Sequence, residues 1–111
     1  MDTMSAPARL ILIDGSETQI LSATSASLEC QTVDDGCAIC VLLSKGESRY
    51  KVELSPHVPA HMALRPGLIV SLSQVDVKNA GAIVRLSYGQ KILTGIVSQE
   101  FWRLILPPLG G

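Results

Sequence analysis

Residues 48–77, SRYKVELSPHVPAHMALRPGLIVSLSQVDV, contain a strand, a crossing segment and a second strand, and the other segments of the chain are expected to pair with them. Charged and apolar residues alternate over residues 49–54, which is the two-residue period of a strand with one buried and one solvated face. Ser55-Pro56 ends this strand, and Pro66-Gly67 supplies a turn into the next one. This region therefore predicts a β-rich fold.

Two more strands precede this region, and one follows it. Asp34-Asp35-Gly36 joins two apolar segments and is a strong hairpin signal. The sequence predicts an all-β fold, a five-stranded barrel with strands at residues 24–33, 37–44, 49–54, 68–77 and 82–88. Residues 10–13 are expected to be an N-terminal addition to this sheet, and residues 91–96 can continue it.

The C-terminal segment changes from the period of a strand to the period of a helix. Ser98 is a suitable N-cap, and apolar residues recur at spacings of three and four until Pro107-Pro108 stops the pattern. A helix is expected over about residues 98–106. Residues 1–8 are expected to be a disordered lead-in, and residues 9–111 a single domain.

Composition limits the possible functions. The chain has 111 residues, of which 47% are hydrophobic, and a formal net charge of −1, so strong binding to phosphates by the chain alone is disfavoured. Aromatic residues are only 4%, which limits any stacking platform for bases. The first residues do not resemble an export signal, so an intracellular protein with reduced thiols is expected.

The residues that could carry chemistry do not form a catalytic or metal motif. Cys37 and Cys40 have C-x-x-C spacing, but on a strand they point to opposite faces, and buried free thiols are the expected state. His57 and His61 are four residues apart between prolines, which favours two solvated loop histidines over a metal pair. We predict no enzymatic activity, no metal and no cofactor.

The order of strands, the segment between the third and fourth strands and the terminal helix match the plan of the oligonucleotide-binding (OB) fold. With Pro66-Gly67 at the entry to the fourth strand, the chain resembles the smallest subunits of replication protein A and of the telomere-capping CST complex. This resemblance implies an accessory subunit that forms a heterodimer with a larger OB-fold protein through its C-terminal helix. It also implies support for single-stranded DNA binding at telomeres or replication sites in the nucleus; otherwise a cytoplasmic location is expected.

Basic residues interleaved with tyrosines are the candidates for weak contact with single-stranded DNA. They are Arg49, Tyr50, Lys51, Lys78, Arg85, Tyr88 and Lys91. Arg49 and Lys51 lie on the strand face opposite Tyr50, so phosphates and bases would meet them on one surface only if the strand twists. Solvated charges on the outside of a barrel are the alternative interpretation.

The terminal helix carries the candidates for a partner interface, which are Val97, Phe101, Trp102 and Ile105. Adjacent helical residues diverge by about 100°, so if Phe101 covers the barrel, Trp102 is carried to the flank of the helix, where a tryptophan is a typical interface anchor. The alternative is that the helix caps the barrel and both aromatic residues belong to the core.

A second hypothesis belongs to a different class of protein. Residues 63–67, the glycines at Gly89 and Gly95, and residues 102–104 resemble the C-ring modules of bacterial secretion and flagellar systems. Those modules are intertwined β-dimers, which implies a homodimeric assembly protein without nucleic acid. The barrel needs the strands at 24–33 and 37–44 in the same sheet as the rest, whereas a C-ring module needs only residues after about Arg49.

Overall fold

A computed structural model of the chain describes residues 5–14, 17–20, 24–34, 36–59, 64, 67–77 and 80–105. In this part of the chain the structure contains eight strands and one helix. In chain order they are β1 (Ser5–Asp14), β2 (Glu17–Ile20), β3 (Ser25–Val33), β4 (Gly36–Lys45), β5 (Ser48–Glu53), β6 (Ile69–Val77), β7 (Ala80–Tyr88), β8 (Lys91–Ser98) and α1 (Gln99–Ile105).

Two antiparallel meanders make up most of the sheet. β3, β4 and β5 form the first meander, and β6, β7 and β8 form the second. The predicted hairpin between the first two strands of the first meander is confirmed, since Val33 pairs with Gly36. Gly46 and Gly89 have φ angles of 60° and 65° at the tight turns after β4 and β7, where a glycine avoids the strain of a left-handed backbone.

β1 joins the two meanders. Its first half pairs antiparallel with β3, from Ser5 opposite Glu29 to Ala8 opposite Ala26. Its second half pairs parallel with β6, starting with Arg9 opposite Ile69, while β2 folds back on its end. The strand order is therefore β5-β4-β3-β1-β6-β7-β8, with β2 beside β1.

This order corrects two predictions. The barrel path has seven strands rather than five, because β1 is the link between its halves and not an addition, and because β8 completes the second meander. Residues 5–8 were also expected to belong to a disordered lead-in, whereas Ser5 to Ala8 are part of β1. Residues 1–4 lie outside the described residues. Small residues and a proline give residues 5–8 little intrinsic strand preference, so their pairing with β3 determines their conformation.

The sheet curves into a nearly closed barrel. Ser55, which follows β5, exchanges two backbone hydrogen bonds of 2.8 Å with Thr94 of β8. Gly95 allows this close approach, because a Cβ atom there would collide with the side chains of Val52 and Leu54. We refer to this contact between the end of β5 and β8 as the seam.

The core fills the interior of the barrel. Its largest fully buried side chains are Leu28, Ile39, Leu43, Leu54, Leu72, Leu86, Leu93, Ile105, Val41, Val58, Val70 and Val84. They come from both meanders, from the loop after β5 and from the helix, so one core holds all of these elements together. Residues 37–41 of β4 are all buried, so both faces of this strand are covered.

The helix α1 packs against β7 and β8 within the same chain. Its residues Phe101, Trp102 and Ile105 are buried. Gly81 in β7 leaves room for Trp102, because a Cβ atom at Gly81 would collide with the Cβ and Cγ atoms of that side chain. Within the described residues, the structure has no helix long and apolar enough to cross a membrane.

Candidate functional site

The basic residues proposed for contact with DNA lie on separate parts of the barrel. Arg49 and Lys51 are exposed on β5, and Lys51 lies 3.6 Å from the carboxylate of Glu29. Arg85 is exposed in the middle of β7, and Lys91 is exposed at the start of β8. Lys78 lies outside the described residues. The fold does not gather the described basic residues into one patch.

The two tyrosines proposed to stack on bases already have partners in the chain. The Tyr50 ring stacks on Phe101 with ring centroids 4.9 Å apart and planes inclined by 19°. The Tyr50 hydroxyl accepts a hydrogen bond of 3.3 Å from the backbone N–H of Ser98. Tyr88 is buried in the core. In this structure both side chains stabilise the barrel.

A shallow cleft of about 490 Å³ lies between the start of β5 and α1. Arg49 and Glu100 both line it, with Tyr50 beside them. A carboxylate next to the guanidinium makes this cleft electrostatically mixed, which is a poor match for a phosphate backbone. The cleft therefore does not add to the DNA-binding candidates.

The four residues proposed as a partner interface are buried inside this chain. Val97, Phe101, Trp102 and Ile105 all belong to the core, and only 3% of Trp102 is exposed. The alternative interpretation, a helix that caps its own barrel, therefore describes this structure, and the placement of Trp102 on the helix flank for a partner is corrected. The 100° step between adjacent helical residues could not show that Trp102 packs on Gly81 of β7 while Phe101 stacks on Tyr50 of β5.

The helix exposes a different set of residues, Glu100, Arg103 and Leu104. Lys45 at the end of β4 donates a hydrogen bond of 2.6 Å to the carbonyl oxygen of Leu104. A cation there satisfies a terminal carbonyl and complements the negative end of the helix. The sequence analysis missed this role of Lys45, because no local pattern connects residues that are 59 positions apart.

The cysteines divide into a pair and a single thiol. Cys30 of β3 and Cys37 of β4 lie side by side with Cα atoms 5.9 Å apart, a spacing that allows a disulfide, whereas the sequence predicts reduced thiols. Cys40 is free and buried, and its strand neighbours are Glu29 and Glu53. Burial raises the pKa of the Cys40 thiol above its ordinary value of 9.0, against the lowering effect of Lys51. Cys40 is therefore a poor nucleophile at neutral pH.

The histidines give no metal site among the described residues. His57 lies 3.4 Å from the Glu53 carboxylate, and both side chains are exposed. His61 lies outside the described residues. In the part of the chain that the structure describes, no three His, Cys, Asp or Glu side chains are grouped closely enough to hold a metal ion.

The outer surface of β6, β7 and β8 carries several exposed isoleucines. Residues pointing inward from these strands, such as Val84 and Leu93, are fully buried, so alternation directs their neighbours outward. We call this surface the isoleucine face. It consists of Ile69, Ser71, Ser73, Ile83, Arg85, Ser87, Ile92, Thr94 and Ile96.

The isoleucine face holds most of the exposed large apolar side chains in the described residues. Ile69, Ile92 and Ile96 are 49%, 58% and 62% exposed, and Leu104 on the helix is the fourth such residue. The register pairs Ile83 with Ile96 across β7 and β8. These side chains therefore belong to one surface and not to scattered positions, which is typical of an interaction site.

The sequence of β8 contains a signal for this face. β8 carries apolar residues at both parities, with Leu93 and Val97 pointing inward and Ile92 and Ile96 pointing outward. A strand that is apolar on both sides is expected to be covered on both sides. In this chain the outer side of β8 is open.

No protein-family model, curated protein or solved structure matches this chain. The resemblance to the smallest subunits of replication protein A and CST is therefore supported only at the level of architecture. The class that the structure defines is an all-β, nearly closed barrel with one C-terminal helix.

Proposed function

We propose that this chain is a non-catalytic β-barrel subunit that binds a partner protein through the isoleucine face. The observation that carries the proposal is the exposure of Ile69, Ile92 and Ile96 on one side of a single sheet. Covering apolar surface contributes roughly 25 cal/mol per Å², which favours association with another protein. The paired strands of the barrel also hold these side chains in place before binding, which reduces the entropic cost.

This proposal keeps the partner protein expected from the sequence but moves its binding surface. The C-terminal helix stabilises its own barrel, and the outer sheet binds the partner. The more specific hypothesis of an OB-fold accessory subunit that supports single-stranded DNA binding, in the nucleus at telomeres or replication sites, remains a prediction. Fluorescence anisotropy of a labelled oligonucleotide tests it, with and without the partner, on wild type and on Lys51→Glu.

The homodimeric C-ring module is the weaker alternative. It requires only residues after about Arg49, whereas β1, β3 and β4 belong to the same sheet as the later strands and contribute Leu28, Ile39 and Leu43 to the core. We expect a truncated chain that starts at Arg49 to be unfolded by circular dichroism. A truncated chain with a cooperative unfolding transition would favour the C-ring module.

Quantitative affinity purification from the native cells tests the proposed function. The tagged wild type is compared with the double variant Ile92→Lys and Ile96→Lys, which places two charges on the face. Leu104→Lys is the matched control, because Leu104 is 51% exposed but lies on the helix, away from the face.

We expect a stoichiometric partner to be retained by wild type and by Leu104→Lys and to be lost from the double variant. A partner retained by the double variant, or lost only from Leu104→Lys, would contradict the proposal. The fluorescence of Trp102 reports whether each variant is folded, since it is the only tryptophan in the chain.

A further inference from the structure

Arg85 lies in the central row of the isoleucine face. It is opposite Ser71 of β6 and opposite Thr94 of β8, with isoleucines above and below this row. Its side chain is exposed, and it is the only charged residue among the nine that define the face. At the edge of the face, the exposed Arg9 of β1 pairs with Ile69. Any partner that covers the isoleucines must therefore also cover the Arg85 guanidinium.

We propose that the partner presents an Asp or Glu carboxylate to Arg85, surrounded by apolar side chains that pack on the isoleucines. This inference rests on the proposed function and specifies the chemistry of the partner. A guanidinium removed from water without a partner is strongly unfavourable, and a carboxylate can accept two parallel hydrogen bonds from it.

The chain itself does not supply this carboxylate among its described residues. Lys51 pairs with Glu29, and His57 lies 3.4 Å from the Glu53 carboxylate. The antiparallel bridge of Ser55 with Thr94 places Glu53 opposite Ile96, across the seam at the edge of the face. The Ser71 hydroxyl donates a hydrogen bond of 3.4 Å to the backbone carbonyl oxygen of Arg85, a contact that does not involve the guanidinium.

A second copy of the chain does not meet the same requirement. A symmetric dimer brings the same surface of both subunits together. A dimer whose axis passes through the centre of the isoleucine face would place each Arg85 against the Arg85 of the other subunit. The nearest described carboxylate, Glu53, lies across the seam at the edge of the face and contacts His57 of its own chain. The charge of the face therefore favours a different protein over self-association.

Nucleic acid is also a poor occupant of this face. Phosphate-driven binding needs several clustered cations, and here one guanidinium is surrounded by isoleucines and hydroxyl groups. The favoured occupant is therefore a protein surface with one acidic residue in an apolar patch.

A charge-reversed copy of the chain can serve as a probe of known composition. Arg85→Glu places a carboxylate in the centre of an otherwise identical apolar face. Sedimentation velocity is measured on wild type, on Arg85→Glu and on their equimolar mixture, up to the highest soluble concentration. Isoleucine-methyl NMR spectra identify the surface that is in contact.

We expect each protein alone to remain monomeric and the mixture to associate at least about tenfold more tightly, with shifts confined to the methyl groups of the face. Introducing Ile92→Lys and Ile96→Lys into the wild-type component should abolish association. A mixture of wild type with Arg103→Glu is the matched control and should stay monomeric, because Arg103 is exposed on the helix.

Two outcomes would overturn the inference. One is a mixture that stays monomeric throughout, and the other is wild type that dimerises alone through the isoleucine face. In the second case the isoleucine face would still be a protein-binding surface, but the proposed acidic partner would be wrong. The proposed function fails separately, when affinity purification recovers the same partner with wild type and with the lysine double variant.

Discussion

Tyr50 connects β5 to the C-terminal helix through both its ring and its hydroxyl group. The ring stacks on Phe101, and the hydroxyl accepts a hydrogen bond from Ser98. A side chain with these two contacts contributes to stability in two separable ways, one through packing and one through the hydrogen bond.

We predict that Tyr50→Phe lowers the free energy of unfolding by about 0.5–1.5 kcal/mol, because it removes only the hydroxyl. Tyr50→Ala also removes the stacked ring and should cost about 2–4 kcal/mol, somewhat less than a fully buried aromatic residue. Urea denaturation monitored by Trp102 fluorescence measures both values. Equal stability of Tyr50→Ala and wild type would show that the stack is not formed in solution.

Cys40 should make the stability of the protein depend on pH. Its folded-state pKa is raised above 9.0 by burial, so folding favours the protonated thiol. Its contribution is fully present below about pH 9, and it is lost as the pH rises through the folded-state pKa, because the unfolded state releases its proton first. In Cys40→Ala, stability should fall less steeply with rising alkaline pH than in wild type.

Denaturation midpoints measured at a series of alkaline pH values test this difference in slope. Lysines and tyrosines titrate in both proteins. The difference in slope between wild type and Cys40→Ala therefore reports the titration of the Cys40 thiol. Identical slopes for wild type and Cys40→Ala would contradict the burial of Cys40.

At the scale of single residues, the sequence predicts alternation well and long-range contacts poorly. The two-residue period correctly placed Val52 and Leu54 in the core and Lys51 on the outside. The period could not predict that Tyr50 packs against the helix, because Phe101 comes into contact with Tyr50 only when the barrel closes. Candidate base-stacking residues could therefore not be distinguished from packing residues by pattern alone.

The seam depends on a single small residue in β8. A side chain at Gly95 would collide with Val52 and Leu54, and would lie 3.0 Å from the carbonyl oxygen of Glu53. Overpacking at such a position forces neighbouring atoms apart.

We predict that Gly95→Ala destabilises the protein by about 1–3 kcal/mol and speeds hydrogen exchange at the amides of Ser55 and Thr94. These amides form the two hydrogen bonds of the seam. Thr94→Ala is the control, since it keeps the backbone contact and removes only an outward side chain. Unchanged exchange in Gly95→Ala would mean that the seam is open in solution.

At the scale of elements, strands with strong alternation were predicted close to their observed positions. The strand predicted at residues 24–33 corresponds to β3, and the one at 82–88 lies within β7. β1 was underestimated because its first half, Ser5 to Ala8, gains its structure from pairing with β3 and not from local preference. The parallel pairing of β1 with β6 joins distant segments and leaves no local signal.

At the scale of the whole molecule, the arrangement of surfaces follows from closure of the barrel. Residues that alternate inward form one core, and the helix contributes Phe101, Trp102 and Ile105 to it. The outer surface of β6, β7 and β8 then carries Ile69, Ile92 and Ile96, three of the four exposed large apolar side chains among the described residues. Fold class was predictable from alternation, whereas the binding surface depends on which strands become neighbours.

The helix belongs to its own barrel, so the isoleucine face is the surface proposed to bind a partner. The most direct measurement is the emission and acrylamide quenching of the single tryptophan, Trp102, over a wide range of protein concentration, with the mass in solution recorded alongside. We predict short-wavelength emission and weak quenching in the monomer at every concentration, because Trp102 is 3% exposed within one chain. Long-wavelength, readily quenched emission that becomes protected only as the protein associates would place the helix against a partner and contradict this account.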